Sequence, residues 1–127
     1  MFWRGARRRC PWCGGPGAFF TSWFGKDPAC HTCGLQWRRG DVGFELGAAA
    51  MAAIIVMGPL VVALGVVMAF TWPEVHVVPL LVVFLTGAAV LPVVLYPVSY
   101  TMWQSLDLVM RPPEPQHFAD DRFVAHR

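Results

Sequence analysis

Two long stretches without a charged residue dominate the second part of this chain. The first runs from Leu46 to Thr71 and the second from Val77 to Val98, and both consist almost entirely of apolar residues. At 1.5 Å per residue the first stretch makes a helix of about 39 Å, which exceeds the roughly 30 Å of a bilayer hydrocarbon core. The pattern therefore predicts transmembrane helices at 46–72 and 77–110, joined by an outer turn at 73–76.

The end of the second predicted helix has a different pattern. From Ser99 to Met110 polar residues alternate with apolar ones, so we expect an amphipathic cytoplasmic extension along the membrane surface. Pro92 and Pro97 lie deep in this helix and lack a backbone N–H, so the carbonyls that they leave free need partners from neighbouring groups. The segment 111–127 is polar and proline-rich, which predicts a disordered tail.

The first forty residues alternate short apolar runs with turn signals and two cysteine pairs. The pairs are Cys10-Pro11-Trp12-Cys13-Gly14 and Cys30-His31-Thr32-Cys33-Gly34, and no further cysteine is present. Phe19–Phe24 and Leu35–Trp37 favour strands, and the residues from Gly25 to Pro28 favour a turn. The prediction is a small N-terminal β zinc ribbon at 1–40 and a joint at 41–45, followed by a two-helix transmembrane hairpin.

The spacing of the cysteines indicates a structural zinc site. Two C-x-x-C turns bring four thiolates to one ion, the donor set of closed tetrahedral Zn(II) sites, so Cys10, Cys13, Cys30 and Cys33 are the predicted ligands. Gly14 and Gly34 allow positive φ, and backbone N–H groups near them can donate to the thiolates. A domain of this size also needs metal for folding. Three alternatives are less favoured. They are an iron site as in a rubredoxin, a redox dithiol, and a zinc site in which His31 replaces one cysteine.

Composition and charge add a location and an orientation. The chain is 56% hydrophobic and only 14% charged, which is typical of a membrane protein. The outer turn has no Lys or Arg, whereas the N-terminal region has seven, so both termini are predicted to be cytoplasmic. A reducing compartment also keeps thiols free for metal. The arginines at 7–9 are interpreted as topology signals that touch anionic headgroups rather than nucleic acid.

Several segments resemble the domain of unknown function 983 family of small bacterial membrane proteins. They are the cysteine pairs, Asp41-Val42-Gly43, Trp72-Pro73 to His76, and Tyr96-Pro97-Val98-Ser99 through Trp103 and Asp107. The resemblance covers roughly 5–112, and the Tyr-Pro-x-Ser pattern is similar to actinobacterial members. Phe44-Glu45-Leu46-Gly47 replaces the usual glycine-aspartate-glycine-proline stretch. The resemblance implies the bacterial plasma membrane and, through genes that neighbour some members, a link to respiratory complexes.

These features favour a non-enzymatic accessory or assembly protein. No catalytic constellation and no small-molecule substrate is evident, and no charged residue lies inside either span, which argues against a transporter. The expected partners are the lipid bilayer and a larger membrane complex on which the ribbon docks, and the resemblance implies a respiratory complex. A metal- or thiol-handling factor in oxidase biogenesis and a membrane-tethered nucleic-acid-binding ribbon are the alternatives.

Overall fold

The structure, a computed structural model, describes residues 1–118 and contains the predicted helical hairpin. A short helix α1 (Phe2–Ala6) is followed by the cysteine-containing segment, then by α2 (Phe44–Thr71) and α3 (Val77–Met110). A single 3₁₀ turn (Pro115–His117) follows α3. Helix α2 begins two residues before the predicted start of the first span, and α3 has the predicted bounds. Both long helices continue through their prolines.

The middle of the hairpin is apolar and largely exposed. The most apolar window in each of α2 and α3 has a mean hydropathy of 2.6, and only 6% and 0% of these two windows are buried. Helices in the core of a soluble domain would be mostly covered by protein, whereas here Val61 and Val82 are 62% and 57% exposed. Both helices are therefore long and apolar enough to cross a membrane, and their apolar surface is free to face lipid.

The last part of α3 forms the platform on which the N-terminal region packs. Buried residues follow one face of the helix from its second internal proline onward: Pro97, Ser99, Tyr100, Thr101, Gln104, Ser105, Asp107 and Leu108. The sequence analysis expected this amphipathic face to lie along a membrane surface. The structure corrects that expectation, because small side chains here let other parts of the chain approach closely and cover the face.

Helix α1 is one of the elements that cover this platform. Thr101 donates through Oγ1 to the Gly5 carbonyl at 2.6 Å. A Cβ on Gly5 would lie 2.8 Å from the Thr101 carbonyl oxygen, so only glycine permits this close approach. The sequence analysis treated residues 1–9 only as a basic stretch and did not predict a helix there.

The predicted β strands are not confirmed, since the described residues contain isolated bridges and no regular strand. The bridges pair Arg9 with Pro16, Phe20 with Lys26, Ala29 with Gln36, and Leu35 with Phe118. Each of the first three closes a tight turn, so the chain between the cysteines reverses too often for a ladder to extend.

The first part of the predicted disordered tail is ordered against the cysteine domain. Gln36 donates its backbone N–H to the His117 carbonyl at 2.9 Å, next to the bridge between Leu35 and Phe118. The prediction of disorder is therefore wrong for 111–118. The rest of that prediction, 119–127, lies outside the described residues.

An aromatic cluster joins the cysteine domain to both long helices. Phe19 stacks between Phe20 and Trp37, at 4.8 and 5.3 Å between ring centroids. Trp37 then meets Phe44 of α2 at 5.1 Å and Tyr100 of α3 at 6.2 Å. The domain thus shares one hydrophobic core with the ends of the two helices.

Candidate metal centre

Each cysteine pair lies on a tight turn that ends in a left-handed glycine. Gly14 has φ +77° and Gly34 has φ +72°, a conformation that side chains with a Cβ rarely adopt. Gly14 donates its N–H to the Cys10 carbonyl at 2.8 Å, and Gly34 donates to the Cys30 carbonyl at 3.0 Å. The two turns therefore have the same backbone conformation and present both sulfurs of each pair on one side.

The four sulfurs meet in a single group. The Sγ atoms of Cys10 and Cys33 are 3.9 Å apart, as are those of Cys13 and Cys30, and all four lie within 4.8 Å of one another. A tetrahedron with metal–sulfur bonds of 2.3 Å has edges of about 3.8 Å. All four cysteines are free, so the group can hold one metal ion at its centre.

Within each turn the first cysteine is more buried than the second. Cys10 and Cys30 are 0% and 1% exposed, whereas Cys13 is exposed and Cys33 is partly buried. The Gly15 N–H donates to Cys13 Sγ at 3.3 Å, which is the backbone-to-sulfur bond expected near these glycines. The centre is thus covered by protein on one side and open on the other.

Hydrogen bonds within the group set the protonation of the thiols. Hydrogen bonding with Cys10 and then Cys33 lowers the pKa of the Cys30 thiol to about 2, against an opposing contribution from burial. The backbone amides of Cys33 and Thr32 lower the Cys30 pKa further. The same thiol–thiol bond with Cys30 raises the pKa of Cys10. Because metal ligands must be deprotonated, a cation bound by these four sulfurs would displace the thiol protons.

His31, considered as an alternative ligand, is engaged elsewhere. Its Nε2 lies 2.7 Å from Asp27 Oδ2, and its backbone N–H donates to the Ala18 carbonyl at 3.1 Å. Among residues 1–118, the group of potential ligands around the sulfurs contains only the four cysteines. His31 therefore connects the second cysteine turn to the preceding turn of the domain.

A buried ion pair connects the cysteine domain to the end of α3. Arg39 donates to the carboxylate of Asp107, and the two side chains are 6% and 3% exposed. Arg39 also donates to the backbone carbonyls of Asp107 and Arg111 at the helix end, and the Asp107 carbonyl accepts the Arg111 backbone N–H as well. Sequence reasoning missed this pair, although Asp107 was among the residues that carried the family resemblance.

An exposed ion pair lies beside the buried one. Arg111 Nη2 is 2.9 Å from Asp41 Oδ2. The Gly43 N–H and the Arg111 guanidinium hold the pKa of the Asp41 carboxyl below its usual value. Asp41 thus connects the joint to α3.

A lysine from the turn between the cysteine pairs lies between the domain and the hairpin. Lys26 Nζ is 3.8 Å from the centre of the Tyr100 ring and 5.0 Å from that of Trp37. It is also 3.7 Å from Glu45 Oε1, and the Tyr100 hydroxyl donates to the same carboxylate. Lys26 therefore contacts both α2 and α3.

Trp23 satisfies a backbone carbonyl that Pro97 leaves free. In an α-helix the N–H of residue 97 would bond the carbonyl of Val93, but proline has no N–H. Trp23 donates its indole Nε1–H to that carbonyl at 2.6 Å. The expected need for a neighbouring donor at this position is confirmed, and the donor comes from the cysteine domain.

One protein family matches most of the chain. The family described as "Protein of unknown function (DUF983)" matches residues 20–107. The chain belongs to this family. The match includes the second cysteine pair, α2 and most of α3, and it begins after the first cysteine pair, so it is narrower than the expected 5–112. No curated protein and no solved structure matches the chain.

Proposed function

We propose that this protein is a non-enzymatic accessory or assembly factor that spans the bacterial plasma membrane twice. Its cysteine domain carries structural Zn(II), lies in the cytoplasm with both termini, and docks on a larger membrane complex. The complex that we favour is respiratory, from the family resemblance.

The observation that carries the proposal is the firm connection between the cysteine domain and the hairpin. Trp23, Arg39 and Lys26 each bond or stack on α3, and the aromatic cluster continues from the domain into both helices. A domain held in this way has a defined position above the membrane. A fixed position favours a domain that docks on a partner over a domain that moves as a metal carrier.

The membrane surface of the hairpin supports a partner within the bilayer. Between α2 and α3 lies an apolar groove of about 290 Å³, lined by Met57, Leu60, Val61, Leu64, Val77, Leu80, Leu81, Phe84, Leu85 and Ala88. Gly58 and Gly65 of α2 also have open space where a Cβ would stand. Close approach at small residues is a common basis for packing between membrane helices.

Zinc is proposed from the chemistry of the donors. Four thiolates are soft ligands, which favour Zn(II) or iron over magnesium or calcium. All four positions of a tetrahedron are filled by protein, which is typical of structural zinc. Elemental analysis of the purified chain tests this proposal: one zinc and no iron per chain is expected, and a coloured iron protein would contradict it.

The docking proposal is tested by recovering the protein with its neighbours. The tagged chain at native expression is purified in a mild detergent, and co-purifying proteins are identified by mass spectrometry. Stoichiometric recovery of a respiratory or transport complex is the expected result. Recovery of the chain alone, or only with copies of itself, would contradict the accessory function.

The exposure of Cys13 favours one second candidate, a metal- or thiol-handling factor. Cys13 is the exposed member of the four, so reagents and exchanging metals can reach the centre from that side. Rapid alkylation of Cys13 in the native protein, with loss of metal, would support this candidate. Protection until denaturation would favour the structural site.

A further inference from the structure

Two aromatic side chains of the cysteine domain reach the depth at which the hydrocarbon core ends. Trp23 bonds to the Val93 carbonyl, and the Phe24 ring lies 5.0 Å from the Tyr96 ring. At 1.5 Å per residue, Val77–Tyr96 of α3 covers about 30 Å, which equals the thickness of the hydrocarbon core. Trp23 and Phe24 are 40% and 56% exposed, as suits side chains that meet lipid at that boundary.

Arg8 lies next to this boundary. Its guanidinium carbon is 4.5 Å from the centre of the Trp23 ring. The polar layer outside the hydrocarbon core is roughly 5–8 Å thick on each side of a bilayer. A guanidinium stacked on Trp23 therefore falls within the headgroup layer. Arg8 Nε is also buried without a hydrogen-bond partner among the described residues.

Three consecutive arginines line one open cavity beside this contact. The cavity has a volume of about 410 Å³, and its lining consists of Arg7, Arg8, Arg9, Pro16 and Gly17. Arg7 and Arg9 are exposed and Arg8 is partly buried. Lys26, Arg38, Arg39 and Arg111 pair with carboxylates, whereas Arg7 and Arg8 stack on Trp3 and Trp23. The cavity is therefore strongly cationic.

We propose that Arg7, Arg8 and Arg9 bind the phosphate of an anionic phospholipid in the leaflet beneath the cysteine domain. Guanidinium groups donate two parallel hydrogen bonds to phosphate oxygens, and a stacked guanidinium keeps this capacity. The acyl chains of such a lipid would lie beside Trp23 and Phe24. Because the cavity is at headgroup depth, a lipid supplies the phosphate more readily than a soluble nucleic acid.

The test compares two variants that lose the same charge. Arg7→Gln/Arg9→Gln changes the two exposed arginines of the cavity and keeps the stacked Arg8. Arg38→Gln/Arg111→Gln changes two exposed arginines elsewhere, whose side chains are 56% and 61% exposed. Full-length protein in micelles is titrated with phosphatidylglycerol or with phosphatidylcholine of identical acyl chains. Bound lipid is counted by native mass spectrometry at constant ionic strength.

The proposal predicts that the wild type prefers phosphatidylglycerol. A basic residue at an anionic surface strengthens binding about 5-fold, so the Arg7/Arg9 variant should bind this lipid about 25-fold more weakly, and the control should stay within a few-fold of wild type. No lipid preference in the wild type, or equal losses in both variants, would overturn the proposal. Displacement of the lipid by inorganic phosphate or by an RNA oligonucleotide at equal concentration would also overturn it.

Discussion

The indole of Trp23 occupies the place of a backbone N–H that Pro97 lacks. This single bond joins residues 70 positions apart and attaches the cysteine domain to α3. The carbonyl that it satisfies belongs to a helix long and apolar enough to cross a membrane, and an unsatisfied group inside a membrane is costly. One side chain therefore stabilises both the domain contact and the helix around its proline.

We expect Trp23→Phe to weaken the attachment by about 1 kcal/mol, because the ring remains and only the hydrogen bond is lost. In a Pro97→Ala background the new alanine N–H can bond Val93 itself, so the same change should cost much less. Hydrogen exchange of residues 19–37 in micelles gives the free energy of opening for all four proteins of this cycle. Equal costs in both backgrounds would contradict the proposed role of the indole.

The cysteines and His31 also make a prediction at the scale of single residues. Cys30→Ser should remove the bound metal and leave the cysteine domain open to protease, because metal supplies much of its folding free energy. The hairpin should remain inserted. His31→Ala should keep one metal ion per chain, since His31 contacts Asp27 and lies outside the sulfur group. Elemental analysis and limited proteolysis measure both outcomes. A protease-resistant Cys30→Ser domain would refute the dependence on metal.

At the scale of elements, α2 and α3 depend on a close contact between the start of α2 and the end of α3. A Cβ on Gly47 would overlap the Trp103 indole, so glycine is required where the two helices meet. Small residues are common positions for packing between membrane helices. The structure uses Gly47 inside the hairpin and leaves Gly58 with open space.

These two glycines form a matched pair for mutation. Gly47→Ala should destabilise the hairpin by about 1–3 kcal/mol, because the added methyl group displaces Trp103. Gly58→Ala should be neutral or stabilise by a few tenths of a kcal/mol through helix propensity. Thermal unfolding in micelles compares the two. If Gly58→Ala lost as much stability as Gly47→Ala, the result would contradict the open space beside Gly58.

At the scale of the whole molecule, the Arg39–Asp107 pair holds the domain to the end of α3. Asp107→Asn leaves the Arg39 guanidinium buried without its counter-charge, which typically costs about 3–5 kcal/mol. Asp41→Asn removes the exposed partner of Arg111 and should change stability little. Chemical unfolding of the cysteine domain, followed by near-ultraviolet circular dichroism, measures both. Similar losses in the two variants would mean that the Arg39–Asp107 pair is not the main connection.

The residues where this chain departs from the usual family pattern lie where the cysteine domain meets α2 and α3. Phe44, in the stretch where this chain departs from the usual family pattern, is 0% exposed and contacts Trp37, Tyr100 and Trp103. Glu45 accepts from Tyr100 and pairs with Lys26. Phe44 and Glu45 thus join the cysteine domain to the hairpin. The domain and the hairpin therefore form one folding unit rather than two tethered parts.

The sequence alone determined the features that depend on local order along the chain. A run of apolar residues long enough to cross a membrane is visible without any contact, so the hairpin and its bounds were predicted within two residues. The clustering of the four cysteines was predicted for the same reason, because C-x-x-C-G turns require a fixed spacing. The predicted β strands are not confirmed, since short apolar runs leave open whether the chain forms paired strands or reverses direction.

Tertiary structure alone decided how these parts are joined. The bonds of Arg39 to Asp107, Trp23 to Val93 and Thr101 to Gly5 connect residues 68, 70 and 96 positions apart. No pattern of neighbouring residues specifies such pairs, because each depends on the three-dimensional packing that brings a donor to one carbonyl or carboxylate. The sequence could therefore state which helices are long and apolar enough to cross a membrane and which four cysteines gather, while packing decided that the cysteine domain rests on α3.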